Sequence, residues 1–247
     1  MNRKNRPGIK IVPLLFLYML MTGCAGADIR EEGDNDPLKG MNNVFYGIND
    51  VLDKGFLEPV AELYESYLPS SVQIGISNFF DNLAYPGVII NSVLQGRIGD
   101  GVEGTGRFVV NTVFGIAGLF DPATPLGFER HEEDFGQTLG VWGAGEGAYL
   151  VLPAVGPNSV RDAPGLVADL FTNLLYCVES SVMIPLIALN AIERRAGFLQ
   201  VTRLRDASPL DPYLFTREAY RQRRTHLIHN GHASYDYGED EEENERL

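Results

Sequence analysis

Several groups of residues in this 247-residue chain have the types and spacing to do chemistry. His131, Glu132, Glu133 and Asp134 are all metal-ligand types. Adjacent residues on one loop seldom converge on a single ion, so a solvated charge cluster is the competing reading. His226, His229 and His232 are spaced by three, and two of them could share a helix face and bind zinc. They fall at the end of the last helical stretch, before Gly231, where a surface role competes. Gly143-Ala144-Gly145-Glu146-Gly147 invites a nucleotide-loop reading. The spacing is GxGxG, no strand-to-helix unit surrounds it and no GK[ST] follows, so that reading fails. No GxSxG pentapeptide presents a serine nucleophile. Four histidines without a motif around them disfavour an enzyme, and no cofactor or metal is expected.

Cys24 offers a different chemistry, covalent modification of its thiol. It is preceded by MNRKNRPGIK, with Arg3, Lys4, Arg6 and Lys10 and no acid, and then by a short apolar run from Ile11 to about Thr22. Basic start, apolar middle and small end make an export signal. The run is too short for the roughly 20 residues of a spanning helix, and Pro13 interrupts it. Leu20-Met21-Thr22-Gly23-Cys24 resembles a bacterial lipobox, with Met21 departing mildly from the usual Leu. A plain signal peptide with a chance cysteine is the alternative. On the lipobox reading Cys24 becomes the lipid-modified first residue. The next residue is Ala25, not the Asp that usually retains lipoproteins at the inner membrane, which points to the outer membrane.

Without residues 1–23 the chain carries 16 basic and 33 acidic residues, a net charge of −17. Such a chain is a poor nucleic-acid binder. Six of the acids crowd into YGEDEEENERL, so residues 231–247 read as an acidic, disordered tail. If Cys24 is acylated, Cys177 is the remaining thiol, and it reads as a small buried apolar residue.

The elements that must position these residues are mostly helical. Residues 24–35 read as a linker, and a single domain follows over 36–230. Asp36 and Pro37 suit a helix start. Met41, Val44, Phe45, Ile48, Val51, Leu52 and Phe56 then share one face, with Asn42, Asn49, Asp50 and Asp53 off it. Pro59 and Pro69 bracket a short helix. Ser70 starts another, with Val72, Ile76, Phe79, Phe80 and Leu83 on one face; Phe79 and Phe80 read as core or lipid-facing. Pro86 is expected to end that helix, leaving Val88 to Leu94 as a separate apolar element. Gly99 to Phe120 is apolar on more than one side, the mark of a core segment or of lipid contact. The glycines at 136, 140, 143, 145 and 147 argue against regular helix there, and Tyr149 to Leu152 reads as extended. Helices resume over Gly165–Leu175, Pro185–Arg205 and from Asp211-Pro212. The class is all-α. No segment after the signal is a clean apolar run of 18 residues, which argues against a spanning helix. Wide apolar faces on the helices suit residence within one leaflet, while an ordinary helical core is the alternative.

Five motifs then occur in order: NDPLKGMN (35–42), ISNFFDNLAYPGVIINSVLQG (76–96), GRFVVNTVFGIAGLFDPA (106–123), EDFGQTLGVWGAGEGAYLVLPAVGPNSVRDAPG (133–165) and DPYLFTREAYRQRR (211–224). In these the chain resembles the MlaA (VacJ) lipoproteins of Gram-negative outer membranes. The resemblance implies a helical ring in the inner leaflet of the outer membrane, around an amphipathic channel. It implies association with a trimeric porin and transfer of phospholipids to a periplasmic carrier, MlaC, which maintains lipid asymmetry. The physics suits that work. A phospholipid has two tails of roughly 16 carbons, and at about 0.8 kcal/mol per CH₂ carrying it bare through water costs roughly 25 kcal/mol. A structural envelope lipoprotein and a phospholipid-cleaving enzyme are the other classes. The first is expected to show a peptidoglycan-binding region or a terminal lysine, and neither is evident. Within the resemblance, Arg161 in SVRDAP is a candidate phosphate contact, or else an ion-pair partner of Asp162 or a cap. Gly143, Gly145 and Gly147 border the channel and move, or else form a fixed loop.

Overall fold

The computed structural model describes residues 36–230. The proposed signal 1–23, Cys24 with the linker 24–35, His232 and the acidic tail 231–247 lie outside the described residues. Helix α1 (Lys39–Leu52) passes through a π-helical turn, Asp53–Leu57, straight into α2 (Glu58–Tyr67). Then come α3 (Ser70–Leu94), α4 (Ile98–Val113), α5 (Phe135–Val141), a hairpin of β1 (Tyr149–Leu152) and β2 (Gly156–Ser159), α6 (Ala163–Thr172), α7 (Ser180–Gly197), α8 (Leu199–Ala207) and α9 (Pro212–Ile228). The all-α class holds, with the hairpin as the one sheet among the described residues. The strands are antiparallel, Tyr149 facing Ser159 and Leu152 facing Gly156, so the extended reading of 149–152 is borne out.

Four expectations need correction. Pro86 does not end its helix; α3 runs 25 residues through it. Proline removes one backbone hydrogen bond, but α3 packs against α4, α5, α6 and α7, and that tertiary packing carries the helix past the lost bond. The glycine-rich stretch is not irregular throughout, because Phe135–Val141 is helical with Asp134 as its cap: the Asp134 carboxylate accepts from the Gln137 backbone N–H at 2.8 Å. The first helix starts at Lys39, directly after the turn pair Pro37–Leu38, so its N-cap is Leu38; the buried Asp36 carboxylate still accepts from a backbone N–H at this end, that of Leu38 at 3.2 Å. Cys177 is exposed, not buried. At the other end of the chain Asp211 caps α9 as its sequence suggests, accepting from the Leu214 N–H at 3.0 Å.

Polarity in this fold runs opposite to that of an ordinary soluble domain. The off-stripe Asn42 of α1 is fully buried, whereas Val44, Val51 and Phe56 of its apolar stripe are 61%, 70% and 70% exposed. In α4 the buried residues are Gly101, Gly104, Arg107 and Asn111, while Val102, Val109 and Val113 face outward. Asn82, Asn91, Ser92, Gln137, Thr138 and Ser159 are buried as well. The α3–α4 contact is close because α4 brings glycines to it: a Cβ on Gly101 would sit 2.8 Å from Val93 and one on Gly104 3.3 Å from Tyr85. No described helix is long and apolar enough to cross a membrane.

Helix α4 ends in an apolar tip, Phe114 to Phe120. Ile116, Ala117 and Gly118 are consecutively left-handed, with φ of 53°, 57° and 93°. A β-branched residue there is strained. The turn is held by the Gly118 N–H donating to the Asn111 carbonyl at 2.9 Å and by the Asn82 amide beneath it, donating to Thr112 Oγ1 at 2.9 Å. A Cβ on Gly118 would lie 2.4 Å from that of Asn82. Gly118→Val is therefore expected to destabilise the protein by about 1–3 kcal/mol, read as a fall in thermal midpoint of the detergent-solubilised protein; an unchanged midpoint would show that the tip is not tied to α3.

Candidate functional site

The polar interior is organised around the hairpin. Asn42 of α1 donates to the Tyr149 carbonyl and accepts from the Val151 N–H, both at 2.9 Å. Two helical turns later Asn49 repeats the pattern, donating to the Leu152 carbonyl at 2.9 Å and accepting from the Ala154 N–H at 2.8 Å. The free edge of β1 is thus paired by two side-chain amides in place of a third strand. Asparagine suits the role because one short side chain carries both a donor and an acceptor. Asp36 joins the network, accepting from the Asn42 amide at 3.1 Å and from the Tyr213 hydroxyl. Tyr149, Val151 and Tyr213 form the buried apolar cluster, with Phe45, Tyr46 and Tyr220 against it. The Tyr149 ring lies 6.0 Å from Tyr213 and 5.9 Å from Tyr220, tilted or edge-on, geometry that aromatic quadrupoles favour.

Beyond β2 the chain enters an ion-pair knot. Arg161 donates twice to Asp162, at 2.7 and 3.2 Å, and its side chain is 7% exposed. Asp162 also accepts from the Tyr220 hydroxyl at 2.5 Å, and Arg224 Nε lies 3.0 Å from it. Arg224 reaches on to Asp134 with two bonds, at 2.5 and 3.0 Å. One guanidinium thus spans the cap of α5 and the start of α6 from its place on α9. Burial works against both carboxylates, but the arginine contacts outweigh it and hold Asp134 and Asp162 below the usual carboxylate range. Asp169 of α6 has no such partner. Its carboxylate accepts from the Phe135 N–H at 3.2 Å. Burial, then the neighbouring Asp134 charge, pushes it up to about 6.

Gly143, Gly145 and Gly147 lie in the exposed turn between α5 and β1. Gly143 and Gly147 have φ of 91° and 70°, and a Cβ on Gly147 would sit 3.0 Å from Val160. Gly145 has neither constraint. Glu146 of this turn lies 3.5 Å from Arg221 of α9. Trp142, next to it, donates its indole N–H to the Leu94 carbonyl at 3.0 Å. Arg161 and the glycines therefore flank the same hairpin, Arg161 in the ion pair that was one of its two readings. His131 stands apart, 3.8 Å from Glu103, and His229 contacts its own helix at the Thr225 carbonyl. Among the described residues no group of three His, Cys, Asp or Glu is placed to hold a metal ion. Sequence reasoning missed Asn42, Asn49 and Arg224. For the two asparagines the signal available was their helical spacing of seven, off the apolar stripe.

The arrangement is a satisfied polar interior inside an apolar exterior, with no exposed nucleophile–base pair in the interior just described. Comparisons with known proteins give the family. The family profile described as MlaA lipoprotein matches residues 34–227. The chain is 37% identical over 216 residues to the "Intermembrane phospholipid transport system lipoprotein MlaA" of Escherichia coli (strain K12), covering 86% of each. It is 31% identical to the protein of the same name from Haemophilus influenzae, covering 90% of this chain and 91% of that one. A solved structure, "Structural basis for maintenance of bacterial outer membrane lipid asymmetry", aligns with a TM-score of 0.70 at 36% identity, over 79% of this chain and all of the other.

The sign of the Asp169 shift gives a test. Its folded pKa lies above the ordinary carboxylate value of 3.8. Between those values the folded state binds more protons than the unfolded state, so stability falls as pH rises from about 4 to about 6. Asp169→Asn should remove that fall, raising the thermal midpoint at pH 7 and leaving it unchanged below about pH 4. A variant with an unaltered pH profile would place Asp169 in contact with a cation or solvent instead.

Proposed function

The chain belongs to the MlaA lipoprotein family, and from that premise we propose that it moves phospholipids between the outer membrane and a periplasmic carrier, through an amphipathic channel, and so maintains outer-membrane lipid asymmetry. The observation that carries this reading is the reversed polarity. Many large apolar side chains left exposed are unusual on a soluble monomer and suit contact with another apolar phase. Here α1, α4, α6 and α7 all carry them, Phe171 at 84% exposed among them. The buried side is lined with amides, hydroxyls and ion pairs. Helices too short or too polar to span, but apolar on the outside, suit a body that sits within one leaflet. Cys24, acylated, would hold that body at the inner leaflet of the outer membrane, facing the periplasm.

A trimeric porin is the expected neighbour in the membrane, and MlaC the expected recipient. The work needs no nucleophile, so the protein is read as a transporter and not an enzyme. In this reading Gly143, Gly145 and Gly147 border the channel, and Arg161 stands at the hairpin where a headgroup phosphate would pass. Residues 236–247 are dispensable for transport in this reading.

Mass spectrometry of lipid that co-purifies with the detergent-extracted protein tests the function directly. Intact phospholipid is expected; release of cleavage products from labelled phospholipid would replace transport by hydrolysis. Gly145→Val is the cleanest probe of the glycine turn, because its backbone and surroundings tolerate a side chain. Normal membrane abundance with raised surface phospholipid is expected, and normal asymmetry would remove the turn from the channel. Cys24→Ala should leave an unacylated precursor that does not support asymmetry. An acylated product from that variant would show that the lipid is carried elsewhere.

A further inference from the structure

A small polar cavity lies between α3, α4 and the segment after the tip, apart from the hairpin. It is lined by Asn78, Asp81 and Asn82 of α3, Arg107 of α4, and Asp121 and Arg130 beyond it. Asn78, Asp81 and Asn82 recur at the three- and four-residue spacing of one helix face. The cavity is partly open to solvent, with about 20 Å³ for water-sized groups, room for one or two of them.

The charged groups in the wall differ in how they are committed. Arg107 is spent: it donates to Thr124 Oγ1 and the Phe128 carbonyl at 2.9 Å each and to Asp121 at 2.5 Å. Asp121 is spent too, accepting also from Asn111 and from the Thr124 hydroxyl. Asp81 and Arg130 hold only each other, through one 2.8 Å bond at the mouth, with side chains 37% and 48% exposed. An exposed pair of this kind is worth little to the fold. Burial of the Asp81 carboxyl raises its pKa despite Arg130, as befits a carboxylate short of partners. Two carboxylates and two guanidiniums leave the wall neutral overall, so it suits a zwitterion better than an anion.

The surroundings say what kind of zwitterion. Asp121 directly follows the apolar tip, and the Asn82 amide that lines the cavity also reaches the tip's Ala117 carbonyl at 3.4 Å. Phe114, Ile116 and Phe120 of that tip are 74%, 63% and 61% exposed. A water-sized polar cup beside an exposed apolar knob matches an amphiphile with a compact cationic end.

We propose that this cavity receives the primary ammonium of a phosphoethanolamine lipid headgroup, Asp81 accepting from the ammonium, Arg130 turning to the phosphate, and the 114–120 tip lying against the acyl chains. A primary ammonium can donate hydrogen bonds to the Asp81 carboxylate, which the trimethylammonium of choline cannot, and a glycerol headgroup offers Asp81 no charge. The inference rests on the phospholipid-transport reading and adds a headgroup preference to it.

The test equilibrates full-length protein in detergent with mixed vesicles of equal phosphatidylethanolamine, phosphatidylcholine and phosphatidylglycerol, followed by re-isolation and mass spectrometry. Wild-type protein is expected to enrich the ethanolamine lipid about threefold or more over the input, the size of effect one charged contact gives. Asp81→Asn, nearly isosteric, and Arg130→Gln should each return the ratio to that of the input while total lipid per protein stays constant. Thermal midpoints report folding, and Asn78→Gln, which narrows the cup without touching the pair, serves as a second variant with the same expected loss. Unchanged enrichment in these variants, or no enrichment in the wild type, overturns the proposal and leaves transport standing. Absence of any bound lipid overturns both. Displacement of the lipid preference by millimolar soluble O-phosphoethanolamine alone, with no requirement for an acyl chain, would assign the cup to a soluble amine and overturn the lipid assignment.

Discussion

A single guanidinium, that of Arg224, sits between two carboxylates, and much of the molecule hangs on it. It ties α9 to the cap of α5 and to the aspartate that opens α6. Removing one partner from a buried ionic group leaves an uncompensated charge, at a cost of about 3–5 kcal/mol. An ordinary soluble domain of this size leans on apolar burial, but here the large apolar side chains of α1 and α4 are turned outward and contribute little of it. What remains is close packing at small residues and hydrogen bonding between polar ones. The chain supplies both: glycines between α3 and α4, and asparagines, serines and ion pairs inward of them.

That constraint accounts for the cation usage. After the signal the cations are nearly all arginine, with Lys39 and Lys54 the only lysines. Arginine's planar fork bonds two acceptors at once and tolerates partial burial better than an ammonium. Arg107, Arg161 and Arg224 all use it so. Lys54, by contrast, forms an exposed pair with Asp50 one turn away.

The sequence made the helical class, the extended segment at Tyr149 and the Asp211 cap legible, because each rests on local rules of spacing and turn chemistry. It did not disclose which face of α1 points inward. A period of 3.6 separates the apolar stripe from Asn42 and Asn49 but carries no sign, and the usual assignment of apolar to inside is reversed here. Pro86 and the helical Gly136 and Gly140 were misread for a related reason. Local propensity was outweighed by α3's neighbours in one case and by the Asp134 cap in the other. The knot was the least legible part, since Asp134, Asp162 and Arg224 are far apart in the chain and each is an ordinary charged residue until the fold brings them together.

The asparagine pairing of β1 has a consequence for assembly. A two-stranded hairpin normally leaves an outer row of amides and carbonyls able to template another strand. Here that row is masked by α1, which lies more than a hundred residues earlier in the chain. During folding the hairpin's turn is local and can close quickly, while the mask requires a long loop closure. There is thus an interval in which β1 is formed but unguarded, and in that interval the chain is open to pairing with a second copy of itself. Docking of α1 ends the hazard, so the helix that turns its apolar stripe outward is also the one that makes the nascent protein safe from its own kind.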